Sequence, residues 1–364
     1  MDLIKQFKNF INNLNNEDKI GLIYHNDADG ITSGVILAKA LKRYKNIEIK
    51  YLIPPDKDYD IKDEFILDLK RKKINKLIIV DMSLDKEKIQ LEKISRFSDI
   101  LIIDHHPKNN QITNNKITII KSEDITKKYY PCAKLVYDLF NNLVEITDLD
   151  WISCIGIIGD MGYKPWKDFV NKTLKKYNEP VPNQIMKTKL SKLVGYITAA
   201  TCCDYKNLNQ TFNKVYNAKN MNELLNSDLK KYKIQFSKEL NYWLNKHTEA
   251  KEILKDLYLL KITPKYNMNS PISTAMSLKY FFNKTLIIIS EYPNEKKLHI
   301  SLRRQDQKID MGQLIKDMHK KSEFIKGGGH APAAGGSLPK NKFKHFEKIL
   351  KETYKELLSQ TPQN

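Results

Sequence analysis

The fold is organised around the stretch Leu101-Ile-Ile-Asp-His-His-Pro-Lys108. Three apolar residues lead directly into Asp104, His105 and His106, and Pro107 ends the run. A short apolar run that stops at a proline is typical of a buried strand in a parallel sheet. Open α/β sheets bind their ligands beyond the carboxyl ends of the strands. On its own, the triplet is equally consistent with a polar strand end and with a functional site.

Strand and helix patterns alternate on both sides of this stretch. Apolar runs predict strands over residues 19–25, 47–53, 76–81, 99–104 and 117–121, and helical spacing predicts helices over residues 3–14, 31–43, 60–72 and 86–97. Strands that alternate with helices through short connections predict parallel βαβ units and an α/β fold. Because the carboxyl ends of parallel strands meet at one edge of a sheet, polar residues at those ends are brought together.

Polar residues stand at several of these ends. They are His25, Asp27 and Asp29 after the first strand, Asp81 after the third, and Asp160 at the end of an apolar helix over residues 151–162. Each has a plainer explanation, since Asp27 and Asp29 could cap the following helix and His25 could be an ordinary strand-end histidine. The coincidence of these residues with the histidine triplet in one βαβ arrangement favours a single site.

The side chains of this expected site are of the types that bind metal ions. The candidate ligands are His25, Asp27, Asp29, Asp81, His105 and Asp160. Carboxylates and imidazoles suit manganese, magnesium or iron better than calcium or a thiolate zinc site. The set exceeds what one ion needs, which favours two ions about 3.5–4 Å apart that share a bridging carboxylate, activate a water and neutralise charge on a phosphoryl group. Without cations, facing aspartates would raise one another's pKa values.

Strand and helix patterns begin again near Lys255 and predict a second, smaller α/β unit. Strands are expected over residues 257–262, 285–290 and 297–304, with a helix beginning near residue 271 and a last helix ending near residue 358. Gly327, Gly328 and Gly329 predict a turn whose N–H groups can approach an anion, and His330 can donate to phosphate. Arg303 and Arg304 can bind phosphate through paired hydrogen bonds. A glycine run alone can be only a turn, but the combination favours a phosphate-binding domain.

Residues 164–192 differ in character from the rest of the chain. They contain eight lysines against two acidic residues, Asp168 and Glu179, together with three prolines. This composition is consistent with an insertion that faces nucleic acid and equally with a solvated loop. Helical patterns follow over residues 183–203 and 221–254, and the second predicts a helical connector between the two domains.

Length and composition limit the classes of protein. A chain of 364 residues is long enough for two domains, since single cores stop growing near roughly 250–300 residues. The net charge of +19 is typical of a nucleic-acid binder, although the lysine bias also fits genome composition or growth at high temperature. The sequence has no membrane-length apolar run, no signal-peptide pattern and no Cys-x-x-Cys pair. We therefore expect a cytoplasmic protein without membrane contact.

Together these motifs resemble the DHH phosphoesterase superfamily, whose name comes from the triplet Asp104-His105-His106. The other matching segments are Asp27-Ala-Asp-Gly30, Asp81 after an apolar strand, Asp160 in Gly-Ile-Ile-Gly-Asp, and Gly327-Gly-Gly-His330, which looks like the signature of the DHH-associated C-terminal domain. The resemblance covers roughly residues 19–162 and 257–337.

The resemblance implies an α/β architecture of two domains with a cleft between them. The larger N-terminal parallel-sheet domain would span residues 1–215, with residues 164–192 as a lysine-rich insertion. A helical connector would span residues 216–255, and the smaller C-terminal α/β domain, which binds substrate, residues 256–364.

The resemblance also implies roles for the site residues. Two Mn²⁺ ions, or Mg²⁺ in their place, would be bound by His25, Asp27, Asp29, Asp81, His105 and Asp160, with Asp81 as the bridge. His106 would face the scissile phosphate and Asp104 would orient the histidines. Arg303 and the segment from Gly327 to His330 would hold a substrate phosphate. Many relatives place a ligand histidine four residues before the first aspartate, where this chain has Ile23, and His25 lies two residues before it, as in archaeal RecJ-like members.

We expect a RecJ-like exonuclease that removes nucleotides from an end of single-stranded DNA or RNA through a metal-activated water. The alternative is a phosphodiesterase of the same fold for very short oligonucleotides or cyclic dinucleotides. A third hypothesis is a replication-associated scaffold that has lost catalysis, although every motif is intact. Expected partners are single-stranded nucleic acid and, as for archaeal relatives, replication or repair proteins.

Overall fold

The structure is a computed structural model that describes residues 3–54, 60–181, 183–204, 208–293 and 295–360. The chain forms two compact units, Met1–Lys233 and Ile234–Asn364, which we call the N-terminal unit and the C-terminal unit. Each unit has its own sheet and its own hydrophobic core.

The N-terminal unit is built on a parallel sheet of five strands. They are β1 (Ile20–Tyr24), β2 (Tyr51–Ile53), β3 (Lys76–Val80), β4 (Asp99–Asp104) and β5 (Ile117–Lys121), in the order β2-β1-β3-β4-β5. Every neighbouring pair is parallel, which confirms the predicted α/β class. The second strand is shorter than expected. Ile47 is buried, as its apolar character predicts, but it lies before β2 and does not pair with the sheet.

Both faces of this sheet are covered. Consecutive side chains of a strand point to opposite faces, and both sets are buried here. Along β3, Ile78 and Val80 belong to one hydrophobic cluster, whereas Leu77 and Ile79 belong to the other. The first helices of the unit are α1 (Leu3–Asn12), α2 (Ala28–Lys45), α3 (Asp63–Arg71), α4 (Lys88–Ser95), α5 (Cys132–Asn141) and α6 (Asp150–Gly159). A strand that is buried on two faces is apolar at nearly every position, which explains the continuous runs in the sequence.

The lysine-rich residues 164–192 contain a packed helix, so the solvated-loop interpretation is wrong for that part. Helix α7 (Lys167–Lys176) buries Val170 and Leu174 in the main core of the N-terminal unit. Its lysines, including Lys172 and Lys175, stay exposed. The apolar pair four residues apart is a helical signal that the high lysine content obscured.

The expected connector helix over residues 221–254 is wrong as a single helix. After α8 (Lys189–Cys203) and α9 (Leu208–Asn217), the chain forms α10 (Met221–Leu225), α11 (Leu229–Leu244) and a strand, β6 (Lys251–Leu254). Leu224 and Leu229 are buried in the N-terminal core, whereas Ile253 and Leu254 pack against the C-terminal core. The apolar residues belong to two different cores, so one periodic pattern could not describe them.

The C-terminal unit contains a mixed sheet of six strands. After β6 these are β7 (Leu257–Ile262), β8 (Thr285–Glu291), β9 (Lys297–Arg303), β10 (Lys326–His330) and β11 (Ala333–Pro339), in the order β10-β11-β9-β8-β7-β6. Strands β7 and β8 pair in parallel and the other neighbours pair antiparallel. Its helices are α12 (Asn269–Tyr280), α13 (Met311–Lys321) and α14 (Phe343–Gln360). Within the described ranges of the whole chain, no helix is long and apolar enough to span a membrane.

The glycine segment is a strand and not the turn that its composition predicted. Lys326–His330 forms β10 at the edge of the sheet and pairs antiparallel with β11, and the chain reverses at Ala331-Pro332. A Cβ on Gly327 would lie 2.2 Å from Cδ1 of Ile315 in α13 and 2.5 Å from the main-chain oxygen of Gly335 in β11. Glycine is therefore needed here because the main chain of β11 and helix α13 both lie close to the strand, which are tertiary contacts that the sequence does not show.

Candidate metal centre

The residues predicted for a metal site meet at one edge of the parallel sheet. Strands β1, β3 and β4 are neighbours, so their carboxyl ends are adjacent. Asp160 follows α6 and reaches the same place. We use the name acidic cluster for six residues: His25, Asp27, Asp29, Asp81, His105 and Asp160.

Asp81 adopts a left-handed backbone conformation immediately after β3, with φ +60°. Its N–H donates to the carbonyl of Ile103 in β4 at 2.9 Å, so the main chain still pairs with β4 as it turns. Aspartate tolerates this conformation better than most residues. The Asp81 side chain is buried at the strand end and is only 2% exposed.

Asp81 and His105 are the most connected members of the acidic cluster. Nε2 of His105 lies 3.2 Å from Oδ1 of Asp81, and Nδ1 of the same ring lies 3.5 Å from Oδ2 of Asp160. Nδ1 of His25 lies 2.8 Å from Oδ2 of Asp27 and 3.8 Å from Oδ2 of Asp81. Three overlapping groups have ligand atoms within 4.8 Å of one another and could hold a metal ion: His25 with Asp27 and Asp81, Asp29 with His105 and Asp160, and Asp81 with His105 and His106.

Asp29 is held in place by the start of helix α5. Its Oδ2 accepts the N–H of Cys132 at 2.7 Å, and its Oδ1 accepts the N–H of Ala133 at 2.9 Å. The first N–H groups of a helix have no partner within the helix and favour a negative charge. Gly156 of α6 leaves space for this carboxylate, since a Cβ at that position would lie 2.6 Å from Oδ1 of Asp29. Two helices thus orient one carboxylate.

Asp27 both caps a helix and belongs to the acidic cluster. Its Oδ1 accepts the N–H of Gly30 at 2.9 Å, which caps α2, while its Oδ2 is paired with His25. The capping explanation is therefore correct for Asp27, and it does not exclude the site. A carboxylate has two oxygens, and here each has a different partner.

Burial and like charge shift the pKa values in the acidic cluster. Burial raises the pKa of Asp29 well above its usual value, and the carboxylates of Asp81 and Asp160 raise it further. Burial and the charge of Asp27 raise the pKa of Asp81 in the same way. Burial lowers the pKa of His25, but the carboxylates of Asp27, Asp81 and Asp160 together outweigh this effect and the value rises to about 9. The chain alone does not balance the negative charge that it gathers here.

Two buried atoms of the cluster also lack the partner that burial demands. Among the described residues, no group has hydrogen-bond geometry to Oδ1 of Asp81 or to Nδ1 of His105. An unmatched buried polar atom is costly, and a cation would balance the excess negative charge as well. Carboxylate and imidazole donors suit Mn²⁺ and Mg²⁺. The residues present therefore fit divalent metal ions.

A second group of charges adjoins the acidic cluster, and two of its members, Lys121 and Asp85, were not predicted. Lys121 ends β5 with a side chain that is 0% exposed, and its Nζ lies 2.5 Å from Oδ2 of Asp104 and 3.0 Å from Oδ1 of Asp85. Oδ1 of Asp104 lies 2.7 Å from Nδ1 of His106. We call Lys121, Asp85, Asp104 and His106 the Lys121 network. Burial raises the pKa of Asp104, but His106 and Lys121 outweigh it and hold that pKa below its usual value.

The contact between Lys121 and Asp104 follows from the register of the sheet. Asp104 of β4 pairs with Lys121 of β5 in the parallel ladder. The sequence shows a lysine that closes an apolar strand, but the pairing depends on strand order. The loop after the triplet is tied to the same network, because the N–H of Asn109 donates to Oδ2 of Asp85 at 2.7 Å.

Tyr129 is a second residue that sequence reasoning missed. Its hydroxyl donates to Oδ2 of Asp160 at 2.5 Å, and its ring meets the ring of His105 edge-on, with centroids 5.6 Å apart. Tyr129 is nevertheless 48% exposed. It lies in irregular chain before α5, where no periodic pattern could have marked it.

The predicted phosphate-binding residues of the C-terminal unit have contrasting environments. Arg303 is buried and donates to hydroxyl and carbonyl oxygens of its own unit. Arg304 is also buried, and its Nε and Nη2 donate to the carboxylate of Asp306 at 2.7 Å and 3.1 Å. The residues of β10, from Gly327 to His330, are exposed. Phosphate binding by either arginine stays a prediction.

Comparison with known families identifies the chain. Residues 19–158 match the N-terminal domain of the DHH family, and residues 258–356 match the DHHA1 domain. The chain is a DHH-family protein. Members of this family are phosphoesterases and nucleases that act on phosphodiester bonds. The acidic cluster lies within the matched DHH domain except for Asp160, which follows it by two residues.

Relatives of this DHH-family protein include an uncharacterized protein of Methanocaldococcus jannaschii, 27% identical over 271 residues. The match covers 68% of this chain and 58% of that relative's length. Exonuclease RecJ bound to manganese has a TM-score of 0.71 and 13% identity, over 96% of this chain and 94% of that one. RecJ from Thermus thermophilus with Mn²⁺ has a TM-score of 0.73 and 12% identity, over 98% of this chain and 55% of that one. At these identities the similarity shows a shared fold.

Proposed function

We propose that this DHH-family protein is a RecJ-like exonuclease that hydrolyses single-stranded DNA or RNA from an end with two divalent metal ions. The observation that carries the proposal is the meeting of six candidate ligands in overlapping groups, in which Asp81 and His105 each occur twice. A shared carboxylate suits two ions about 3.5–4 Å apart. The raised pKa values of Asp29 and Asp81 support it, because crowded carboxylates need cations.

The ligands divide into two sets around a bridge. His25 and Asp27 would hold one ion, Asp29, His105 and Asp160 would hold the other, and Asp81 would bridge them. We propose Mn²⁺ as the ion and Mg²⁺ as the alternative, since both accept these donors. Such ions activate a water and neutralise the charge that grows on the phosphoryl group. The start of α5 keeps Asp29 in the orientation that this task needs.

His106 is proposed to contact the scissile phosphate. An ionised carboxylate can only accept hydrogen bonds, so the contact between Asp104 and Nδ1 of His106 requires a proton on that nitrogen. Nε2 then remains for the phosphate, and the side chain is 37% exposed. Lys121 fixes Asp104 in turn. Asp104 and Lys121 are thus positioning residues, since they act through His106.

A single-stranded polyanion is the proposed substrate. The net charge of +19 favours nucleic acid, because phosphate contacts dominate its binding. In the C-terminal unit, Gly328 has open space where a Cβ would lie and the rest of β10 is exposed. We propose that Gly327, Gly328, Gly329 and His330 contact a substrate phosphate there. Arg303 and Arg304 would join them only by giving up contacts that they now make.

The test is a degradation assay with 5′- and 3′-labelled single strands of DNA and RNA in the presence of Mn²⁺. The wild type should shorten one of them stepwise from one end. Asp81→Ala and His105→Ala should each lower the rate by at least about 1000-fold, because the ions supply several kcal/mol of transition-state stabilisation. Undiminished cleavage by either variant would contradict the assignment.

Substrate length separates the alternatives. A strong preference for two- to five-nucleotide substrates or cyclic dinucleotides over longer strands would replace the exonuclease with the short-substrate phosphodiesterase. A protein that binds Mn²⁺ and single strands but cleaves none of them would favour the replication-associated scaffold. In that case replication or repair proteins become the partners to seek.

A further inference from the structure

We propose that the ring of Tyr129 is a stacking platform for a nucleobase of the bound single strand. The inference rests on the proposed function, because it assumes that a strand reaches the acidic cluster. It assigns a base-binding subsite to a residue that is not one of the candidate ligands. The argument depends on how Tyr129 is held, on what it exposes and on the charges beside it.

Tyr129 is fixed at three points. Its hydroxyl donates to Oδ2 of Asp160 at 2.5 Å, its carbonyl accepts the indole N–H of Trp166 at 2.7 Å, and its ring packs at 78° against the ring of His105. These contacts already restrain the Tyr129 side chain, so it loses little conformational freedom when a ligand binds. The ring is therefore pre-organised next to two candidate metal ligands.

Despite these contacts, Tyr129 remains 48% exposed. Met161, which follows Asp160 in the chain, is 83% exposed and has a left-handed backbone with φ +57°. Large apolar surface beside a cluster of buried carboxylates is unusual for a site that binds only phosphate and water. It suits a substrate with a flat apolar part close to its phosphate, which describes a nucleotide.

Two exposed cations, Lys127 and Lys128, directly precede Tyr129 in the chain. Nζ of Lys128 lies 3.7 Å from the ring centroid of Trp166, the residue that also holds the Tyr129 carbonyl. Proteins that bind single strands combine aromatic platforms for the bases with lysines along the backbone. Lys127, Lys128 and Tyr129 provide both elements in three consecutive residues.

The competing explanation is that Tyr129 serves only to orient Asp160 through its hydroxyl. Two kinds of substitution separate the explanations. Tyr129→Phe and Tyr129→Trp keep an aromatic face and remove the hydroxyl, whereas Tyr129→Leu removes both the hydroxyl and the face. The platform predicts that Phe and Trp behave alike and Leu differs, while the hydroxyl role predicts that all three behave alike.

Binding of a fluorescent single strand is measured by anisotropy in a His106→Ala background, which is expected to bind but not to cleave. Leu should weaken binding by roughly 5- to 150-fold, the range that base stacking on an aromatic ring produces. Phe and Trp should stay within about threefold of Tyr. Equal affinities for Leu and Phe would overturn the platform.

An abasic scan of the strand provides the sharper test. With Tyr129, removal of one particular base near the cleaved end should weaken binding, and with Leu the same removal should have no further effect. Mn²⁺ affinity, measured by calorimetry without nucleic acid, reports the hydroxyl role separately, because the platform predicts the same affinity for Phe and Leu. A lower Mn²⁺ affinity for Leu than for Phe would mean that Leu has disturbed the centre. The abasic scan with Tyr129 and with Tyr129→Phe then decides, because the platform requires the same base position to matter in both, and dependence on no particular base would overturn it.

Tyr44→Leu is the matched control. Tyr44 is partly buried, and its hydroxyl bonds to Asn12 at 3.0 Å, but it lies sixteen residues beyond Ala28 along α2, roughly 24 Å from the cluster end of that helix. Its substitution should leave strand binding unchanged. If the wild type binds and cleaves no single strand, the proposed function fails and the platform fails with it. If the wild type cleaves and Tyr129→Leu matches it in binding, only the platform fails.

Discussion

The acidic cluster and the Lys121 network are two groups of buried charges at the same edge of the same sheet, and they are built in opposite ways. The cluster brings Asp29 and Asp81 together with further carboxylates, and burial and like charge raise their pKa values. The network places Lys121 between Asp85 and Asp104, and the opposite charge holds the pKa of Asp104 low. The carboxylates of the network share a buried lysine, whereas Asp29 and Asp81 of the cluster face further carboxylates.

The difference shows why proximity of charged residues does not by itself indicate a metal site. A buried carboxylate with a lysine partner is satisfied and has a structural task. Buried carboxylates that face one another remain costly until cations arrive. The two groups meet at consecutive residues, Asp104 and His105, so the structural group can position the reactive one. Each prediction below tests one side of this contrast.

A large, metal-dependent effect is expected from Asp81→Asn, which removes one charge from the centre of the acidic cluster. Without metal, the variant should be more stable than the wild type, because like-charge repulsion is relieved. With Mn²⁺ at 100 times its dissociation constant, the wild type should gain about 2.7 kcal/mol and the variant much less. Urea unfolding in EDTA and in Mn²⁺ measures both quantities. A variant that is destabilised in EDTA would contradict the crowding argument.

Lys121→Met tests the balanced side of the contrast. It leaves two carboxylates buried without their counter-charge, and we expect a loss of about 3–5 kcal/mol in the free energy of unfolding. Lys76→Met is the matched control, since Nζ of Lys76 pairs with Asp99 at 2.6 Å at the opposite edge of the same sheet and that carboxylate is partly exposed. The control should cost about 1 kcal/mol or less. Similar losses of unfolding free energy for the two variants would show that burial does not make the network more important for stability than a partly exposed ion pair.

The pH dependence of stability should have opposite signs for the two groups. The pKa of Asp104 is lowered by folding, so its contribution is present above about pH 4 and is lost as the pH falls below that value. The pKa values of Asp29 and Asp81 are raised, so their contribution is present below about pH 4 and is lost as the pH rises through their folded values.

In EDTA, the unfolding free energy should therefore decrease from about pH 4 upward, by up to about 1.4 kcal/mol per pH unit for each such group. Mn²⁺ should reverse the slope, because bound ions keep the carboxylates ionised. Urea unfolding across this range, with and without Mn²⁺, measures the slope. If Asp81→Asn leaves the slope of unfolding free energy against pH in EDTA unchanged, that slope arises from other groups.

The smallest effect concerns Asp27, the member of the acidic cluster with a structural task of its own. Asp27→Asn keeps a side-chain oxygen that can accept the N–H of Gly30, whereas Asp27→Ala removes the cap of α2. Both remove the same charge, so their difference in metal-free stability isolates the cap and should be about 1 kcal/mol. Equal stabilities would show that the cap is dispensable. Both variants should lose Mn²⁺-dependent cleavage.

Much of the fold could be predicted because its signals are local. Strands buried on both faces appear as continuous apolar runs, and β3, β4 and β5 lie where those runs predicted them. Local signals failed where apolar residues belonged to different cores, as between Leu229 and Ile253. They also failed for β10, whose glycines had the composition of a turn.

The residues of the site could be predicted only in part, for a related reason. The members of the acidic cluster stand at strand and helix ends, which the sequence marks. Lys121 and Tyr129 act through partners that are far away in the chain, since Lys121 is 36 residues from Asp85 and Tyr129 is 31 residues from Asp160. The sequence shows that Lys121 ends a strand but not which strand lies beside it, and no pattern marks Tyr129 in its irregular segment.

The sequence by itself determined the α/β class, the family and the edge of the sheet at which polar residues gather, because apolar runs and the residues that end them are local properties. Only the tertiary structure decided which charges face each other. Strand order places Lys121 beside Asp104 and leaves Asp81 among other carboxylates. The sign of each pKa shift depends on those neighbours, so the same residue type is a satisfied structural group in one place and a candidate metal ligand in the other.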